Sequence, residues 1–89
     1  MSKSGFAIIK SERGIHARPS SEIAREALKY KSNITITYKG KSANAKDVLQ
    51  LIILELFKNE KVELIVSGPD ENEAFEVIKN ILEKEFKFD

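Results

Sequence analysis

Asn33-Ile34-Thr35-Ile36-Thr37-Tyr38-Lys39-Gly40 alternates without a break. Ile34, Ile36 and Tyr38 fall on one side of an extended chain, and Thr35 and Thr37 on the other. That period of two marks a strand with one buried face. Lys39-Gly40 then predicts a turn, and 41–44 predicts a short third strand at a sheet edge. The same pattern returns at 61–67, where Val62, Leu64 and Val66 share a face. A first strand is expected over 6–10, from the short run Phe6-Ala7-Ile8-Ile9-Lys10.

Between these strands the spacing becomes helical. One helix is expected to start around His16 or Ala17, with Ile23, Ala24, Ala27 and Leu28 on one side and Glu22, Arg25, Glu26 and Lys29 on the other. A second is expected over 47–57. The third follows the stop Gly68-Pro69-Asp70, where Asp70 and Glu73 predict a start resembling a capping box. Its stripe is Ala74, Phe75, Ile78, Ile81, Leu82 and Phe86, with Lys79 and Glu83 one turn apart on the exposed side. The order is βαββαβα. Strands with one apolar face predict an α+β fold, an open-faced sandwich with an antiparallel sheet covered on one side by helices.

The 89 residues suit one domain, 1–89, and 42% of them are hydrophobic, enough for a packed core. Lysine and arginine number 15 against 14 acidic residues, a balance that argues against nucleic acid as the main partner. With no cysteine and one histidine, disulfides and a His/Cys metal site are excluded. No carboxylate cluster has loop-ligand spacing, so neither metal nor cofactor is expected. The apolar run at 6–9 is too short for a signal peptide or a membrane span. A cytoplasmic protein without membrane insertion is therefore expected.

Gly14-Ile15-His16-Ala17-Arg18-Pro19 carries the most chemistry. Pro19 fits the first turn of a helix, where its missing N–H has no partner to lose. With His16 at the cap, the backbone N–H groups of Ala17 and Arg18 are unpaired and favour a negative group. A neutral imidazole there is a competent nucleophile. A phosphoryl group transferred to it would meet those N–H groups. The Arg18 guanidinium would bind two of its oxygens as a fork. A plain helix cap beside a solvated arginine has the same spacing.

This segment closely resembles the active-site motif of the HPr family, the histidine-containing phosphocarriers of the bacterial phosphoenolpyruvate-dependent sugar phosphotransferase system. Lys39-Gly40-Lys41, Asn44-Ala45-Lys46 and the segment from Ser67 through Gly68-Pro69-Asp70-Glu71-Asn72-Glu73 to Ala74 resemble further family segments in the same order. The resemblance implies a four-stranded antiparallel sheet in the order 1-4-2-3 with three helices on one face. It also implies that enzyme I phosphorylates His16 on Nδ1, that Arg18 stabilises the group, and that enzyme IIA takes it away. Such a protein is a carrier, not an enzyme turning over alone, and a monomer suits its several partners. The alternative is an HPr-like regulatory module that docks on a transcription factor, kinase or metabolic enzyme.

On a helical wheel Val48, Leu49, Ile52, Ile53, Leu56 and Phe57 cover about half the circumference, with Leu51 and Leu54 outside that arc. Part of this helix is therefore expected to be a partner surface. The resemblance places it beside the histidine and points to Val48, Leu49 and Ile52, with Ser21, Ala24 and Arg25 on the first helix. Two departures from the family stand out. Asp47 occupies the position of a regulatory serine, either as an N-cap or as a fixed partial mimic of the phosphorylated serine. Gln50 and Glu55 stand where the family often has glycine. The presence of His16 argues against the purely regulatory relatives that lack it.

Overall fold

The structure, a computed structural model, describes residues 2–11 and 17–84. Its elements are β1 (Ser2–Ile8), α1 (Ala17–Ala27), β2 (Asn33–Tyr38), β3 (Lys41–Asn44), α2 (Val48–Ile53), β4 (Lys61–Ser67) and α3 (Glu71–Leu82). The strands form one antiparallel sheet in the order β1-β4-β2-β3. The turn Lys39-Gly40 joins β2 to β3 with both residues at positive φ, 50° and 79°, as a tight hairpin of this hand requires.

Register explains the two faces. Gly5, Leu64, Ile36 and Ala43 lie in one row across the four strands and face the helices. The next row, Phe6, Glu63, Thr37 and Ser42, lies on the uncovered face. Gly5 makes room in the covered row: a Cβ there would lie 2.8 Å from Cζ of Phe75, which α3 lays on the sheet. The core joins Ala7, Ile34, Ile36, Val62, Leu64 and Val66 from the sheet to Ile23, Ala27, Leu51, Ala74, Ile78 and Leu82 from the helices.

Several boundaries differ from the sequence reading. β1 starts at Ser2 rather than residue 6 because Ser2, Lys3, Ser4 and Gly5 pair through their backbones with Ser67, Val66, Ile65 and Leu64. An edge strand made of polar residues leaves no apolar alternation to read. Leu28 is 66% exposed instead of part of the core stripe, because α1 ends at Ala27 and the chain turns there. Phe86 lies outside the described residues.

The start of α3 is also built differently. The Asp70 side chain makes no capping bond to its own helix. Its carboxylate reaches across to the α1–β2 turn, accepting from Lys31 N at 2.9 Å, Ser32 N at 3.0 Å and Ser32 Oγ at 2.5 Å. The hydroxyl of Ser32, followed by the N–H of Lys31, holds the Asp70 carboxyl below the usual carboxylate range. Glu71, not Glu73, closes the turn by accepting from Gly68 N at 3.2 Å. At the other end of α3, Glu83 accepts from Lys79 Nζ at 2.8 Å and from Ile8 N at 3.1 Å, which fastens the helix to the end of β1.

The second helix is the largest correction. It spans Val48–Ile53 rather than 47–57, and Asp47 is its N-cap. Leu51 and Leu54, outside the apolar arc, are 0% and 5% exposed and belong to the core. Both sides of this segment are apolar, so arc width could not say which side faces inward. The helix stops because Glu55 adopts a φ of 54°. That left-handed conformation costs an L-residue with a Cβ about 1–2 kcal/mol, and glycine far less. Glu55→Gly is therefore expected to raise stability by about 0.5–1 kcal/mol, after the extra freedom of the unfolded glycine chain is counted. A higher urea midpoint at unchanged slope is the expected readout.

Candidate functional site at the start of α1

His16 lies outside the described residues, and α1 begins at the next residue, Ala17. Ala17 and Arg18 are the first two residues of the helix, so their N–H groups have no acceptor within it. Pro19 is the third, fully buried and without an N–H to lose. The first turn contains no acidic residue, and Arg25 is the basic residue of the last turn. The positive end of the helix is thus left uncompensated by the helix itself.

Arg18, Ser21, Glu22, Arg25 and Lys84 line a groove of about 400 Å³ along α1. Two guanidiniums and one ammonium face a single carboxylate, and Lys84 Nζ lies 3.4 Å from both carboxylate oxygens of Glu22. A concave surface with this excess of positive charge attracts an approaching anion. Lys84 comes from beyond the end of α3, so no local spacing in the sequence could have joined it to Arg18. Ser21 and Arg25 are exposed on the same helix. Ala24, proposed beside them from the sequence, is 4% exposed and packs in the core, so little of it is open to a partner.

α2 packs against α1. Of its three partner candidates Leu49 is 70% exposed, whereas Val48 and Ile52 are half-buried. Two residues ranked below them, Ile53 and Phe57, are 68% and 59% exposed. The exposure of Ile53 follows from the inward turn of Leu51 and Leu54, whereas Phe57 lies beyond the end of the helix.

Asp47 accepts from Leu49 N at 3.0 Å and Gln50 N at 3.3 Å through Oδ1, and from Gln50 Nε2 at 3.2 Å through Oδ2. Gln50 Oε1 in turn accepts from Asn44 N at 2.9 Å, tying the end of β3 to the start of α2. The carboxylate at the regulatory-serine position is thus engaged in capping. Asp47→Ala should lower stability by about 1 kcal/mol, whereas Asp47→Ser should retain most of the cap. Thermal melts of the two variants side by side test this.

An open-faced βαββαβα sandwich whose first helix starts directly after a histidine in the sequence is the architecture expected of a histidine phosphocarrier. A family model described as the PTS HPr component phosphorylation site matches residues 4–84. The chain belongs to the HPr family, carriers in the phosphotransferase system rather than catalysts in their own right. It is 40% identical over 78 residues to the phosphocarrier protein HPr of Mycoplasma pneumoniae, covering 86% of this chain and 89% of the relative. It is similar to the crystal structure of HPr-C-His from Thermoanaerobacter tengcongensis, at 30% identity, TM-score 0.85 and 90% of each chain. It is also similar to Crh, the Bacillus subtilis catabolite repression containing protein, at 31% identity and TM-score 0.74, covering 83% of this chain and 85% of that one. Among the described residues no helix is long and apolar enough to cross a membrane.

Proposed function

We propose that this chain accepts a phosphoryl group on His16 from phosphorylated enzyme I and delivers it to an enzyme IIA domain in phosphoenolpyruvate-dependent sugar uptake. The observation that carries this reading is the helix start at Ala17, the residue after His16 in the sequence, where the first N–H groups have no acceptor within the helix, the first turn holds no acidic residue and Arg18 is exposed. Family membership supports it independently.

The imidazole Nδ1 lone pair attacks phosphorus while the phosphorus–nitrogen bond of the donor histidine breaks, and the donor imidazole leaves with that electron pair. The other ring nitrogen of His16 keeps its proton. The three phosphoryl oxygens meet the N–H groups of Ala17 and Arg18 and the Arg18 guanidinium, which hold their charge through transfer. The reverse geometry passes the group to enzyme IIA. Exposed Ser21, Arg25 and Leu49, with half-buried Val48 and Ile52, form the docking surface around it. The protein works as a cytoplasmic monomer with no cofactor.

Incubation with enzyme I and phosphoenolpyruvate should add one phosphoryl group to the intact mass, lost in acid and retained in base. No added mass, with an enzyme I active on another HPr, would replace this reading with a regulatory binding module.

A further inference from the structure

On the uncovered face of the sheet, β2 and β3 present Asn33, Thr35, Thr37, Ser42 and Asn44, hydroxyls and amides with no charge among them. In a chain that is 33% charged, that patch narrows what can bind there. Asn33, Thr35, Ser42 and Asn44 line a pocket of about 460 Å³, and Gln50 of α2 walls it from the sheet edge. Ile34 and Ala43, each 1% exposed, complete the lining. The volume suits a small molecule. The pocket shares no residue with the groove along α1, whose lining is mostly charged.

Several of these polar groups are held by bonds within the protein and keep capacity to spare. Asn44 Oδ1 accepts from Lys46 N at 2.9 Å, which orients the amide and leaves its NH2 group to donate. Gln50 Oε1 accepts from Asn44 N at 2.9 Å, and its Nε2 donates to Asp47 Oδ2 at 3.2 Å. Each end of that amide has one further bond to make. The hydroxyls of Ser42 and Thr37 share a bond at 3.1 Å. Asn33 and Thr35 add an amide and a hydroxyl. Donors and acceptors thus stand side by side around an uncharged hollow, positioned before any ligand arrives.

Three kinds of occupant fit poorly. An anion would approach the Asp47 carboxylate, which is bonded to the far side of Gln50. An added β-strand needs the outward backbone groups of β3, and Gln50 has already taken the N–H of Asn44. An apolar molecule would cut these polar groups off from water without replacing its bonds. A ligand with closely spaced hydroxyls, each able to donate and accept, satisfies them. We infer that this pocket binds a neutral polyhydroxylated molecule of monosaccharide size. Gln50 makes the site: a glycine at that position would remove the wall and both of its hydrogen-bonding ends.

The test is titration of nitrogen-15-labelled protein with glucose, followed by amide chemical shifts. The backbone signals of Thr35, Ser42 and Asn44 and the side-chain amides of Asn33, Asn44 and Gln50 are expected to move and to saturate in the millimolar range, while those of Arg18, Ser21 and Arg25 stay still. Thr35→Val removes the hydroxyl at nearly constant shape, and Asn33→Ala removes the amide. Each should weaken binding about fivefold with the rest of the spectrum unchanged. Ser4→Ala is the control, in the same cross-sheet row as Thr35 but outside the pocket, and should bind as wild type. Shifts that grow without saturating, or equal affinity in Thr35→Val and Asn33→Ala, overturn the site. Glucose 6-phosphate binding as tightly as glucose overturns the neutral class of ligand.

Discussion

His16→Ala is expected to accept no phosphoryl group from enzyme I while keeping its folded state. The side chain supplies the only nucleophilic imidazole in the chain. No cysteine is present to replace it as a nucleophile. Arg18 should give graded losses. Arg18→Ala removes a charge-assisted donor from the transferring group and is expected to slow transfer about 100-fold. Arg18→Lys keeps the charge but loses the fork, and should fall between alanine and wild type. Rapid-quench transfer rates, with intact mass as the end point, order the series. Equal rates for arginine, lysine and alanine would take Arg18 out of the transition state. Residual labelling of His16→Ala would move the acceptor elsewhere.

Much of the fold was legible because its determinants are local. The alternation through Ile34, Ile36 and Tyr38 needs no tertiary knowledge, and the Lys39-Gly40 turn follows from residue type. The parts that were missed are those decided by distant partners. Ser2 to Gly5 become strand only because β4 offers them a ladder. Asp70 looks like a cap for its own helix, yet Lys31 and Ser32 offer it three donors across the fold, and those win. Leu51 and Leu54 could not be told from Leu49 and Ile53 by hydrophobicity, since only packing against α1 and the sheet chooses the inward side. At the site, His16, Arg18 and Pro19 were readable as a linear motif. Lys84 entered the groove only through the docking of α3 against α1.

Gly68→Ala is expected to cost roughly 3 kcal/mol, a fall in melting temperature of roughly 12–24 °C for a domain this size. Gly68 sits at φ 154°, and a Cβ there would lie 2.6 Å from both Cα and Oγ of Ser32 and 2.9 Å from its Cβ. Ser32 cannot retreat cheaply. Its N–H and hydroxyl, with the N–H of Lys31, are all committed to the Asp70 carboxylate, and Asp70 opens α3. Moving Ser32 therefore loosens the joint between the α1–β2 turn and the third helix. A depressed folded-state value means that Asp70's contribution is present above its unfolded value and is lost only as pH falls through the folded one. Melts at pH 7 accordingly test the intact joint. Gly40→Ala separates steric from conformational cost: its φ is 79°, but a Cβ there meets nothing within 4 Å. It should lose only about 1 kcal/mol. Equal losses at the two glycines would mean that backbone conformation, not contact with Ser32, sets the cost. A small loss at Gly68 would mean that the turn at Ser32 yields, and that the Asp70 joint contributes little to holding α3 on the sheet.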